Sequence, residues 1–143
     1  SLKKRVVDLE LKPKFEMKLV AGLTAAETEH LVIDVTAIET KGRRTERLTK
    51  DGWELAEQTP VKGKQLLRFA REELYPVPRI LEEMGLTYDE KLLSFKSRIT
   101  KQFPERFAEW IKAMPADIDL DIDLRPEGRN GAIVSAPTAL RLE

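Results

Sequence analysis

No cysteine occurs in the chain, which removes disulfide frameworks, thiolate metal sites and thiol nucleophiles together. Histidine is nearly absent too. His30 stands alone, and proton shuttles, serine triads and most zinc sites lean on imidazole; a lone histidine at the start of a strand reads as a strand-end side chain. Charge of one sign is missing, since 25 basic residues meet 25 acidic ones. With no net field to steer association, binding to nucleic acid or anionic lipid has to rest on a local patch. No apolar run reaches the roughly 18 residues of a membrane-spanning helix, and no signal-peptide pattern opens the chain. Gly-rich phosphate loops, GxSxG and HExxH are all lacking, so no cofactor or metal is implied. The compartment stays unspecified, with the cytoplasm as the default.

What the chain has instead is alternation. Val7, Leu9, Leu11, Phe15, Met17 and Leu19 take every second position, interrupted by Pro13, and charged residues fill the places between. A strand repeats its facing every two residues, so residues 6–20 read as a strand with one oily and one wet face. Residues 31–40 (LVIDVTAIET) are rich in β-branched side chains and read as a second strand. Lys41 to Arg44 form a hairpin tip, with a return over 43–49. Asp51-Gly52 signals a two-residue hairpin that places Leu48 opposite Leu55 and starts a strand over 53–58.

Composition changes at Pro60. Leu66, Leu67, Ala70 and Leu74 are spaced for a helix over 62–75, stopped by Pro76 and Pro78. A short helix over 79–84 ends at Gly85. Thr87 and Glu90 match a capping box for a helix over 88–102 with Leu92, Phe95, Ile99 and Phe103 on one side, and Pro104 restarts a helix over 104–114. Ile118, Leu120, Ile122 and Leu124 alternate with four aspartates, giving a strand over 117–125, and Gly128 to Gly131 turns the chain into a last strand over 131–136. The expectation is one α+β domain over 1–143, a mainly antiparallel sheet with helices covering one face. Opening at Ser1, without methionine, is compatible with a piece of a longer protein.

Two charged features stand out as candidate binding sites. Asp117, Asp119, Asp121 and Asp123 share one face of their strand, about 6.6 Å apart. That is too far for neighbours to share a divalent ion unaided, so the row reads as a wet face, an edge guarded against aggregation, or a docking strip for a basic strand. Lys41, Arg43, Arg44, Arg47 and Lys50 crowd the hairpin tip against the single Glu46, a pattern suited to phosphates but without aromatic interleaving for stacked bases.

Two sharper motifs fit less well. A helix-turn-helix over 80–99 needs an apolar residue six after Gly85, and Lys91 stands there. Asp34 with Glu39-Thr40-Lys41 resembles the D…ExK arrangement of metal-dependent nucleases, at a short spacing. Phe103-Pro104 and Trp110, with the alternating strand after them and then Arg125 and Gly131, are loosely similar to the end of spore-germination lipoproteins. The tryptophan spacing departs, and no residue role is carried over. The expected function is a non-enzymatic binding or assembly module, working through a sheet edge, the basic tip and the acidic ladder, with a protein partner or a second copy. The alternatives are nucleic-acid binding through the basic hairpin and helix 88–102, and a metal-dependent nuclease using Asp34 and Glu39.

Overall fold

Alternation from residue 5 onward builds the longest element, β1 (Arg5–Val20), in a computed structural model that describes residues 5–22 and 28–126. Its odd-numbered side chains from Leu9 to Leu19 are buried, and the even-numbered ones stay mostly wet. β2 (His30–Glu39) pairs with β1 antiparallel, setting Phe15 beside Val35 and Met17 beside Ile33. The far edge of β2 is divided between two partners. β3 (Arg44–Thr49) takes Thr36 to Ile38, and β4 (Gly52–Gln58) lies outside β3. A hairpin of β6 (Thr87–Asp89) and β7 (Ser94–Arg98) takes His30 to Ile33 through β7.

The other edge of β1 is divided in the same way. β5 (Gln65–Ala70) runs parallel to Arg5–Glu10, and β8 (Asp119–Pro126) runs parallel to Lys14–Leu19. Pro13 falls in the interval between them. A proline inside a central strand removes a donor that a ladder would use; here it sits where that edge has no strand to bond.

Helices α1 (Val77–Glu83) and α2 (Phe103–Lys112) cover one face of the sheet. α1 starts with Pro78 in its first turn and stops in a Schellman arrangement: Gly85 adopts φ +76°, its N–H bonds the Glu82 carbonyl, and the Leu86 N–H reaches the Leu81 carbonyl at 3.0 Å. α2 buries Phe103, Phe107 and Trp110 against Phe15, with Phe15 and Trp110 stacked at 6.2 Å. The Trp110 indole N–H donates to the Ile80 carbonyl at 3.1 Å, so its polar end is satisfied inside the core. Each fully buried ring contributes about 2 kcal/mol.

The α+β architecture with helices on one face is as expected, and among the described residues five of the seven strand pairings are antiparallel; those of β1 with β5 and β8 are parallel. Two expected helices are strands. Residues 62–75 form β5 and a 3-10 turn over Glu72–Leu74 instead of a helix. Leu67 and Phe69 face inward beside Val7 and Leu9, while Leu66 is exposed, and it was Leu66 that completed the helical spacing. Residues 88–102 form most of the β6–β7 hairpin, in which Asp89 accepts the N–H groups of Lys91 and Leu92 and closes the turn. Thr87, expected as an N-cap with Glu90, lies in β6 instead, and the side chain that takes the turn's backbone donors is Asp89.

The register of the β3–β4 hairpin also differs from expectation. Leu48 faces Trp53, and Leu55 faces Glu46. Lys50 and Asp51 form the loop, and Gly52 (φ +111°) pairs with Thr49, so only Gly52 needs the left-handed conformation. The expected strand over 131–136 lies outside the described residues.

Candidate functional site

The sheet face that carries the core does not stay apolar along its length. The phase that buries Ile33, Val35 and Ala37 continues to Glu39, and Glu46 stands opposite Ala37 in β3. Both carboxylates are 2% exposed. A buried charge must be paired and hydrogen-bonded, and the tip after β2 supplies this locally. Glu39 Oε2 accepts the Lys41 N–H at 2.8 Å, while Oε1 accepts the Arg43 N–H at 3.2 Å and the Arg43 Nε–H at 2.8 Å. Burial pushes the Glu39 carboxyl up, but the Arg43 side chain and the two backbone donors outweigh it and hold it below the usual value.

Glu46 takes Arg71 in a two-pronged contact at 2.6 and 2.8 Å and Arg44 Nε at 2.7 Å. Arg71 above all, against the penalty of burial and with help from Arg44, holds the Glu46 carboxyl low. The Arg44 guanidinium carbon also lies 4.8 Å over the centre of the Phe69 ring.

The basic tip expected to meet phosphates is therefore largely spent inside the molecule. Arg43 is bound to Glu39, Arg44 to Glu46, Arg47 to Asp34 at 3.1 Å, and Lys50 to Glu90. Lys41 remains without a carboxylate partner among the described residues. Asp34 and Glu39, the suggested nuclease pair, project from opposite faces of β2 and are each tied to an arginine, so they do not converge on one ion. No group of three or more ligand-type side chains placed to hold a metal occurs among the described residues. His30 is 5% exposed, and its Nδ1 donates to the Thr28 carbonyl at 3.0 Å; it closes the start of β2.

Asp119, Asp121 and Asp123 line the wet face of β8, level with Lys14, Glu16 and Lys18 of β1, while Asp117 precedes the strand. Asp123 is clamped by Arg125, whose side chain and N–H hold its carboxyl down at about 2. Asp119 and Asp121 have no partner among the described residues. Between β5 and β8 the chain brings together Glu10, Glu73 and Asp117. Glu73 Oε2 is buried without a hydrogen-bond partner. Burial, the neighbouring Glu10 carboxyl and then Asp117 raise the Glu73 carboxyl above its usual range, with Lys12 pulling the other way.

One depression, of about 340 Å³, opens at the end of the core face that the helices leave bare. It is lined by Arg43, Val61, Lys62, Gln65 and Leu67, with Thr59 and Pro60 at its rim. Reading the sequence passed over Glu46, Arg71 and Lys62. The signal for Glu46 was in the register: an acidic residue in the apolar phase of a strand is either an error of phase or a buried ion pair. No family model, curated protein or solved structure matches the chain.

Proposed function

We propose that this chain is a non-enzymatic assembly module that docks one copy head to tail on another, the basic end of one against the aspartate ladder of the next. The observation that carries this reading is the position of two groups of unpaired charges, with unpaired Lys18 standing level with Asp123 as the exception within the acidic group. Asp119 and Asp121 flank the C-terminal half of β1, whereas Arg5, Lys41, Lys62 and Lys64 gather around its N-terminal end and the adjoining tip, none with a carboxylate partner among the described residues. Opposite unpaired charges at two ends of one sheet suit heterologous contact between copies. The outward edges of β4 and β8 carry no strand among the described residues, which offers main-chain bonding to a neighbour as well.

The competing reading, nucleic-acid binding, keeps only the four free cations of the basic end, since the tip arginines hold carboxylates and the expected recognition helix over 88–102 is a hairpin. Light scattering over a range of concentrations at low salt decides between them. Mass rises with concentration in the native chain, and the double variant Asp119→Lys, Asp121→Lys stays monomeric at every concentration. A native chain that keeps one mass throughout overturns assembly. Duplex DNA binding that weakens steeply with salt would favour the competitor.

A further inference from the structure

The depression at the bare end of the core face joins two kinds of surface that single-sign patches lack. Its apolar lining is Leu67 of β5 with Val61 and Pro60 of the β4–β5 loop. Its rim is cationic and polar, built from Arg43, Lys62, Gln65 and Thr59. The β4–β5 loop is held over it by a backbone bond from the Thr59 N–H to the Arg43 carbonyl at 2.8 Å.

Arg43 is the most constrained member of the rim. Glu39, itself buried, holds the arginine through Nε at 2.8 Å and through its backbone N–H. The guanidinium is thereby fixed by one side of its fork, and Nη1 and Nη2 have no acceptor among the described residues. A guanidinium set in place by a buried carboxylate, with its outer donors free, is prepared to meet a second oxyanion without first losing rotamer freedom. Lys62 adds a second positive charge to the lining, while Gln65 and Thr59 add neutral donors.

We propose that this depression binds a small organic phosphate, its phosphoryl group between Arg43 and Lys62 and its apolar body on Leu67 and Val61. The volume sits at the small end of the range for ligand sites, about 300 to 1,000 Å³, which suits a compact monoester over a nucleotide or an oligomer. Glu39 is the positioning residue. This site shares the basic end with the assembly reading but does not need it, because Asp119 and Asp121 lie on β8, beside the other half of β1.

The test titrates the full chain with phenyl phosphate and, separately, with inorganic phosphate at low salt, following amide shifts and heat. Phenyl phosphate saturates, shifts the amides of Arg43, Thr59 and residues 61–67, and binds about tenfold more tightly than inorganic phosphate through the buried ring. Lys62→Gln, an exposed change with no folding role, weakens phenyl phosphate about tenfold, and Arg43→Lys, which keeps the charge and loses the fork, weakens it as well. Asp119→Lys, Asp121→Lys, whose basic end no neighbouring copy covers, binds phenyl phosphate at least as tightly as the native chain. Failure of that variant to saturate, equal affinity for both phosphates, or indifference to Lys62→Gln each overturns the site, while the assembly reading stands or falls on concentration-dependent mass alone.

Discussion

Glu73 is the side chain whose ionisation works against the fold. Its carboxyl is raised in the folded state by burial and by Glu10 and Asp117, so folding favours the protonated form. The native state therefore binds more protons than the unfolded chain above the ordinary value of 4.5, and stability falls as pH rises from there through the raised value. Glu73→Gln imitates the protonated form. In urea unfolding at pH 5 and pH 8, the variant gains on the native chain, and the gain is larger at pH 8; a gain that shrinks with pH contradicts the assignment.

Glu46 behaves oppositely. It is held low by Arg71 and Arg44, and Glu46→Gln at neutral pH costs about 2 kcal/mol of unfolding free energy, near the lower end for a broken buried pair because both arginines keep some water. Glu39 and Glu46 stand out of phase with their polarity, a signal that the expectation of Glu39 as a nuclease carboxylate did not use. Arg71 was not legible as a partner, since it lies 25 positions from Glu46, and a contact that distant leaves no periodic trace.

At the scale of elements, clean alternation was enough where one face is oily and the other charged. β1 and β8 could be read for that reason, β2 through its run of β-branched side chains, and α2 through an apolar stripe that faces a sheet. The failures came where both phases carry apolar side chains. In β5, Leu66 and Leu67 are neighbours that face opposite ways, and in the β6–β7 hairpin, Leu92 and Phe95 belong to a turn and a strand, not to one helical face. Spacings of three and four arise by chance in such short runs, and only pairing with β1 or β2 decides the issue.

The same turn stores strain. Leu93 has φ +52° and is 51% exposed, so a branched side chain holds a left-handed conformation without burial to compensate it. Leu93→Gly removes that strain and stabilises the protein by about 0.5–1 kcal/mol, the gain reduced by the freer unfolded chain. A rise in the thermal midpoint checks it; a fall means the leucine packs in a way its exposure hides.

For the whole molecule, several carboxylates set the response to acid together. Glu39, Glu46, Asp89 and Asp123 all have folded-state values below their ordinary ones, Asp89 and Asp123 at about 2. Their contributions are complete above pH 4.5 and are lost as pH falls through the lowered values. Acid denaturation therefore sets in only below that point, and Glu73, which stabilises the fold as it takes up its proton, does not hasten it; a urea midpoint that already falls between pH 6 and pH 5 would contradict this. Overall topology was the least legible layer. Parallel pairing of β1 with β5 and β8 brings together residues about sixty and a hundred positions apart, and nothing local in the chain encodes that choice.

That topology has a consequence for biosynthesis. Of the described strands β1 leaves the ribosome first, yet the flank that receives β8 stays vacant until residue 126 has been made, about a hundred residues later. Throughout that wait the nascent strand offers bare amides to any passing polypeptide. Lys12, Lys14, Glu16 and Lys18 surround them with mixed charge, and Pro13 deletes a donor in their midst; both are devices that discourage foreign strands from annealing. The same residues that look like ordinary wet-face decoration in the finished sheet are thus the chaperones of its first strand.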